Sequence, residues 1–230
     1  MDNKKLWIIP AAFFAVCCVL NLIGCCSDGD LERCIKPALM PLLCLATFAW
    51  LLPMGGFPAG GAALLMLGQL FGFAGDTMLM GKGFAFFAGG IGLFLVGHIF
   101  YICLFGSRSW KGLKAWHWIA ALTVCLGMVA GLIMAIGVSG ALLAPMAVYG
   151  FVLSLLMFST LAGALRFGGL TWWMLFAGAV LFTFSDALIA VRNFGTLSPF
   201  MSGFVVMSTY LLAQVLLAVG GARLLTSGTR

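Results

Sequence analysis

The sequence predicts an all-α, polytopic integral membrane protein with eight transmembrane helices in a single domain over residues 1–230. The composition is 63% hydrophobic and 8% charged, with a mean hydropathy of +1.18, which is far from the usage of water-soluble domains. Apolar stretches of about 20 residues, the length that spans a bilayer as a helix, recur along the whole chain. Their continuous rather than alternating apolarity favours helices over a β-barrel.

The boundaries of the eight predicted helices follow from the polar and glycine-rich segments between the apolar stretches. The helices cover approximately residues 6–23, 36–52, 61–80, 84–105, 116–136, 144–165, 171–191 and 200–224. Residues 24–35 hold three acids and are predicted as a polar loop. Pro37 is then expected in the first turn of the second helix, where a missing N–H costs little. Residues 106–115 are predicted as a basic loop.

The first apolar run follows Lys4 and Lys5, as in a secretory signal peptide. It continues to about Ile23, which is longer than the usual apolar part of a signal peptide, and no clear cleavage motif of small residues follows it. We therefore expect this run to be retained as the first transmembrane helix.

The distribution of basic residues predicts the orientation of the chain. With eight helices both termini lie on one side, together with eight of the twelve Lys and Arg residues. These eight are Lys4, Lys5, Arg108, Lys111, Lys114, Arg166, Arg223 and Arg230. By the positive-inside rule we expect a protein of a bacterial inner membrane with both termini in the cytoplasm. The net charge of +6 is spread over helix ends and gives no signal of nucleic-acid binding.

Two aspartates lie inside apolar runs. Asp76 and Asp186 are the acidic residues that follow Glu32 in the sequence, and each is followed by large aliphatic side chains. An ionisable group in a membrane helix costs at least about 2.5 kcal/mol by insertion scales. Because the two predicted helices run in the same direction, both carboxyl groups are expected roughly 6–8 Å below the same end of the bundle.

The aspartate pair can serve packing or chemistry. A neutral or hydrogen-bonded Asp can hold helices together in a membrane. Two carboxyl groups that share a low-dielectric site can instead divide a proton unequally, which makes an acid and a base from the same residue type. We favour this functional pairing of Asp76 and Asp186.

Further polar side chains are expected around the pair. They are Lys36, Tyr149 and Arg192 near the same end of the bundle, and His98, Tyr101, Tyr210 and Gln214 at greater depth. His98 and Tyr101 share a helix face, as do Tyr210 and Gln214, because of their three- and four-residue spacings. The alternative for His98 is a packing hydrogen bond. For Lys36 and Arg192 the alternatives are a snorkelling charge, a lipid-phosphate contact or a pairing with Asp.

No common metal-binding or nucleophile motif is present in the sequence. It lacks the HxxxH and CxxC spacings of zinc sites and the GxSxG elbow of serine hydrolases. We expect neither metal nor cofactor, and the two aspartates with His98 are the one alternative ligand set. Cys25, Cys26 and Cys34 flank the predicted polar loop, where one disulfide could form in an oxidising compartment.

An internal duplication is a further prediction. Asp76 and Asp186 are 110 residues apart, and Pro37 and Pro145 are 108 apart. Four transmembrane helices preserve the direction of the chain, so the two four-helix halves would be parallel repeats.

The polar motifs, in order, resemble one family of membrane proteins. They are Lys36-Pro37 with Met40-Pro41, Gly75-Asp76, Gly97-His98 with Tyr101, Tyr149, Ser185-Asp186, and Tyr210 with Ala213-Gln214. Each motif is short, but the ordered set over about residues 36–220 resembles the YhhN/TMEM86 family. The resemblance implies eight transmembrane helices, lysoplasmalogenase activity, and Asp76 and Asp186 as the catalytic residues. The first helix and the cysteine-bearing loop are not part of it.

The implied reaction suits paired carboxyl groups. A lysoplasmalogenase hydrolyses the vinyl-ether bond of a lysoplasmalogen to a fatty aldehyde and glycerophosphoethanolamine or glycerophosphocholine. A protonated Asp would deliver a proton to the alkenyl carbon, and an ionised Asp would stabilise the oxocarbenium ion and deprotonate water, as carboxylate pairs do in glycosidases. The seven polar residues named above are expected to bind or support the substrate. The alternative function is a proton-coupled transporter of a lipid or small molecule that uses the same aspartates.

Overall fold

The fold is a bundle of helices. The computed structural model describes residues 5–27, 30–54, 60–136, 143–194 and 201–227, and within these ranges it contains helices and turns but no strand. The α-helices are α1 (Ile8–Cys25), α2 (Leu31–Leu51), α3 (Gly61–Leu79), α4 (Phe84–Ser109), α5 (Ala115–Ile136), α6 (Leu143–Phe167), α7 (Gly169–Phe194) and α8 (Val206–Ser227). A 3₁₀ turn, Leu52–Met54, follows α2, and a π-helical turn, Met201–Val205, precedes α8. The predicted all-α class is confirmed.

The helices have the length and surface of membrane spans. Within the described residues, seven helices are long and apolar enough to cross a bilayer, namely α1, α2, α3, α4, α6, α7 and α8. The corresponding apolar part of α5, Ala115–Gly131, is shorter. Large apolar side chains such as Phe13, Ile119 and Leu165 are more than half exposed, as expected of helices that face lipid. The protein is therefore an integral membrane protein.

The start of α2 differs from the prediction. Part of the segment predicted as a polar loop is helical, because α2 begins at Leu31 rather than near residue 36. Pro37 consequently lies inside the helix and not in its first turn. Two features favour the earlier start. The acidic Glu32 suits the first turn of a helix, and Asn21 of α1 donates a hydrogen bond from Nδ2 to the Glu32 carbonyl oxygen at 3.3 Å.

The end of α4 also extends into a predicted loop. The helix continues to Ser109, and the Trp110 N–H still donates to the Gly106 carbonyl at 2.9 Å. Arg108 favours this extension, because a cation in the last turn complements the partial negative charge of a helix C-terminus. Its Nη1 donates to the Leu104 carbonyl oxygen at 3.4 Å.

Glycines set the spacing of the helices that carry the two aspartates. A Cβ added at Gly97 of α4 would lie 3.0 Å from the Gly68 carbonyl oxygen of α3. A Cβ at Gly178 of α7 would similarly lie 3.2 Å from the Ala213 carbonyl oxygen of α8. Small residues of this kind allow membrane helices to approach backbone to backbone. They fix α3 against α4 and α7 against α8.

The predicted internal repeat stays a prediction. A repeat would equate Tyr101 on α4 with Tyr210 on α8. Their hydroxyl groups have different partners, since Tyr101 donates to Gln214 and Tyr210 donates to Asp76.

Candidate functional site

Asp76 joins three helices near the C-terminal end of α3. Its side chain is buried, and its Oδ2 accepts a hydrogen bond of 2.5 Å from the Tyr210 hydroxyl of α8. Its Oδ1 lies 4.0 Å from the Nζ of Lys36 on α2. Of the alternatives for Lys36, the structure has the ion pair with an Asp. A cation and a hydroxyl donor both stabilise the ionised form of a carboxyl group.

A hydrogen-bond network continues from Asp76 into the bundle. The Tyr210 hydroxyl accepts a hydrogen bond of 3.2 Å from Gln214 Nε2, and Gln214 Oε1 accepts one of 3.3 Å from the Tyr101 hydroxyl. Gly72 leaves room for this network, because a Cβ there would lie 3.2 Å from Gln214 Nε2. Tyr101 and Gln214 are thus linked to Asp76 through the Tyr210 hydroxyl.

Asp186 is held differently from Asp76. It lies on α7 with 3% of its surface exposed, and its Oδ2 accepts a hydrogen bond from the Tyr149 hydroxyl of α6. Its Oδ1 has no hydrogen-bond partner among the residues that the structure describes. Within the same ranges Lys36 forms an ion pair with Asp76, and no Lys or Arg side chain forms an ion pair with Asp186.

Aromatic rings link the two aspartate–tyrosine pairs. The Phe182 ring lies 5.5 Å from the Tyr210 ring and 4.4 Å from the His98 ring, centroid to centroid. The His98 ring in turn lies 6.0 Å from the Tyr149 ring. These edge-to-face contacts are favourable packing geometries for aromatic side chains, and they join α4, α6, α7 and α8 around one core.

The two carboxyl groups border one aromatic core. Tyr210, which donates to Asp76, packs against Phe182, and Tyr149, which donates to Asp186, packs against His98, whose ring contacts Phe182. The fold therefore brings together the pair that the sequence singled out, along with Lys36, His98, Tyr149 and Tyr210. We call these six residues the aspartate cluster.

His98 has one bonded and one unbonded ring nitrogen. Its Nδ1 lies 2.6 Å from the Phe94 carbonyl oxygen one turn earlier in α4, so Nδ1 carries the proton and donates. Its Nε2 is buried and has no hydrogen-bond partner within the described residues. The packing hydrogen bond that was the alternative for His98 is thus present, and the second nitrogen is an acceptor.

The alternative metal site and the disulfide are not assembled. Across the described ranges, no three His, Cys, Asp or Glu side chains lie close enough together to hold a metal ion. Cys25, Cys26 and Cys34 are free thiols.

A polar cavity of about 460 Å³ opens at the end of the bundle beyond the aspartate cluster. Its lining includes Leu79, Ile189 and Met207. These residues stand three positions, about one helical turn, from the two aspartates and Tyr210, and hence on the same helix faces. The cavity is therefore stacked above the cluster along three helices.

Among the residues that the structure describes, the charged side chains that line this cavity are Glu32, Lys36 and Arg192. Lys36 and Arg192 thus share one end of the bundle, as the sequence predicted. Glu32 was missed, because its segment was predicted as a loop. The spacing of Glu32 and Lys36 was the available signal, since residues four apart in a helix lie on one face.

By its fold and its site, this is a polytopic membrane protein with two buried aspartate–tyrosine pairs beneath a charged cavity. The chain belongs to the YhhN family, whose model matches residues 31–221. This match confirms the resemblance read from the ordered motifs, and α1 lies before it.

Curated relatives cover nearly the whole chain. It is similar to Lysoplasmalogenase TMEM86B of Mus musculus, with 32% identity over 225 residues, or 95% of this chain and 88% of the relative. It is 30% identical to Lysoplasmalogenase TMEM86B of Homo sapiens over 224 residues (94% and 87%). It is also 30% identical to Lysoplasmalogenase TMEM86A of Homo sapiens over 213 residues (90% and 85%). No solved structure matches the chain.

Proposed function

We propose that this protein is an intramembrane lysoplasmalogenase, which hydrolyses the vinyl-ether bond of a lysoplasmalogen to a fatty aldehyde and a glycerophospho-base. The observation that carries the proposal is the pair of buried, differently held aspartates beneath a cavity lined by Lys36 and Arg192. The lysoplasmalogenases among its relatives support the same activity.

The different partners of the two aspartates assign them different roles. Asp76 has Lys36 and the Tyr210 hydroxyl beside it, so it is the ionised base. Asp186 has no cation beside it among the described residues, and it keeps its proton. Its Oδ2 accepts from Tyr149, which leaves Oδ1, the oxygen without a partner, to carry the transferable proton. The sequence left the acid and the base unassigned, and these unequal partners support the assignment proposed here.

The reaction begins with proton transfer to carbon. Asp186 gives its Oδ1 proton to the alkenyl carbon that is β to the ether oxygen, and the C=C bond becomes an oxocarbenium ion. The negative Asp76 stabilises this cation, as preorganised charge does in a low-dielectric site. Water then adds to the cationic carbon, and Asp76 takes its proton, which gives a hemiacetal. The acceptor atom Nε2 of His98 can receive a hydrogen bond from that water.

The same two groups complete the reaction in reverse roles. Asp76 returns its proton to the glycerol oxygen as the C–O bond of the hemiacetal breaks, and Asp186 takes the proton of the hemiacetal hydroxyl. The products are the aldehyde and the alcohol, and both aspartates regain their starting states. This exchange of roles is the one required of an acid–base pair that acts in two successive steps.

The cavity supplies a place for the phosphate of the substrate. Lys36 and Arg192 both line it, and each side chain donates charge-assisted hydrogen bonds to phosphate oxygens. Because Lys36 also pairs with Asp76, a phosphate bound there would lie directly above the reacting ether. We therefore assign Lys36 and Arg192 to the head group.

The alkenyl chain is assigned to an apolar groove between α4 and α6. This groove of about 270 Å³ is lined by residues that include Ile91, Gly92 and Met146. Phe84 and Phe87 line both the groove and the polar cavity, so the two spaces are adjacent. A single-chain lipid could place its head in the cavity and its chain along the groove toward the bilayer.

Replacing Gly92 by Trp tests the path of the chain. A Cβ at Gly92 meets no atom within 4 Å, and Gly92 lines the groove, so a larger side chain there is aimed at the proposed path of the chain. We expect kcat/KM for a long-chain lysoplasmalogen to fall by about tenfold, since two displaced methylene groups are worth ~1.6 kcal/mol. A short-chain substrate should be cleaved as by the unchanged protein. Gly127→Trp is the control, because Gly127 is equally open but lies on α5. An equal loss for both chain lengths would reject the groove.

Purified protein in detergent tests the activity itself. We expect ethanolamine and choline lysoplasmalogens to release fatty aldehyde without a sealed membrane. In heavy water the aldehyde should carry one deuterium on the carbon next to the carbonyl, because the first step protonates that carbon. A proton-coupled transporter would release no aldehyde, and this result would favour transport over hydrolysis.

We also propose that the membrane is a bacterial inner membrane and that both termini face the cytoplasm, the orientation that the basic residues indicate. The aspartate cluster would then open toward the outer leaflet. Reporter fusions that are active on one side only, placed after Arg166 and after Arg192, measure the orientation. An outer-side reporter that is active after Arg166 would show the opposite orientation.

A further inference from the structure

Glu32 occupies a fixed place in a row of charges. It lies four residues before Lys36 on α2 and therefore on the same face, about 6 Å nearer to the end of the bundle. Both side chains line the polar cavity. From the buried cluster outward, the order is Asp76, then Lys36, then Glu32.

The helix that precedes the family match holds Glu32 in this place. Asn21 of α1 is fully buried and donates from Nδ2 to the Glu32 carbonyl oxygen. A Cβ at Gly24 would lie 2.6 Å from the Glu32 backbone nitrogen, so the two helices touch at this point. These contacts give α1 a role in positioning the start of α2.

We infer that Glu32 binds the ammonium group of the substrate's head group and selects ethanolamine over head groups without N–H donors. The inference rests on the proposed function. Along a lysoplasmalogen the vinyl ether, the phosphate and the ammonium follow one another, and the row of Asp76, Lys36 and Glu32 presents a matching partner for each. A primary ammonium has three N–H donors, and it forms charge-assisted hydrogen bonds to a carboxylate. A quaternary ammonium has none to donate.

Binding of lipids that cannot be cleaved tests this selection apart from catalysis. The probes are saturated alkyl-ether lysolipids with phosphoethanolamine, phosphocholine or bare phosphate head groups, titrated calorimetrically into the full chain in detergent. We expect Glu32→Gln to weaken the binding of the ethanolamine lipid by about tenfold, the change typical of one lost charge-assisted hydrogen bond. The affinity for the choline lipid should fall less, and the affinity for the phosphate lipid should stay the same or rise.

Two further variants separate recognition from a structural role. Glu32→Asp keeps the charge and should retain part of the preference for ethanolamine. Asp30→Asn removes an exposed carboxylate from the same helix start and should change nothing. An equal loss for all three lipids in Glu32→Gln, or no loss for any, would overturn the inference.

The outcome also distinguishes this inference from the proposed function. If the unchanged protein releases no aldehyde but prefers the ethanolamine lipid through Glu32, then the hydrolase proposal fails and the role of Glu32 stands. If it releases aldehyde and Glu32→Gln leaves the order of the three lipids unchanged, then the role of Glu32 alone fails.

Discussion

Asp186→Asn is expected to lower the turnover of a lysoplasmalogen by about 10²–10⁴-fold, the range that a positioned general acid contributes. Asparagine keeps the shape of the side chain and can still accept the Tyr149 hydroxyl, which now bonds Asp186 Oδ2. It has no proton to give to the alkenyl carbon. The measurement is aldehyde release by the purified variant at saturating substrate.

The matched control for this variant lies one turn away on α7. Thr183 donates from its hydroxyl to the Ala179 carbonyl oxygen at 2.9 Å within its own helix. Thr183→Val removes a polar group from the same helix and should leave turnover within a few-fold of normal. Near-normal aldehyde release by Asp186→Asn would remove Asp186 from the acid role.

Asp76→Ala is expected to cause a loss of similar size, about 10²–10⁴-fold, because the base and the charge that stabilises the cation both disappear. The result differs from that of Asp186 in one respect. Added formate, which is ionised at neutral pH, should restore part of the activity through the open polar cavity. Formate should not restore the activity of Asp186→Ala, since ionised formate has no proton to deliver.

The formate experiment is also the test of which aspartate does which task. Thr77→Val serves as the control, since Thr77 neighbours Asp76 on α3 and donates to the Phe73 carbonyl oxygen of its own helix. Rescue of Asp186→Ala in place of Asp76→Ala would exchange the two roles. If both alanine variants lose their activity and formate rescues neither, then both aspartates are essential, but the stepwise scheme is contradicted.

The architecture could be predicted because a bilayer allows few solutions. Apolar runs of spanning length can only be helices in a chain without alternation, so the eight segments were found from hydropathy. The errors lie at helix ends, where polar residues compete with the pattern. The sequence of α2 from Leu31 to Lys36 is charged enough to resemble a loop, and its contact with α1 at Gly24 is not visible in local sequence.

Part of the site could be predicted for an equally simple reason. Buried charge is costly in a membrane helix, so Asp76 and Asp186 stood out without structural information. The unequal environments of the two aspartates could not be predicted, because pairing with Tyr210, Tyr149 or Lys36 depends on contacts between residues far apart in the chain. Glu32 was missed together with the helix start that places it.

The glycine contacts between α3 and α4 have a mechanical consequence. Two backbones that touch at Gly68 and Gly97 cannot be pressed closer, and a wedge between them would separate Asp76 from His98. A residue larger than glycine at either position would act as such a wedge and would change the geometry of the aspartate cluster from a position outside it.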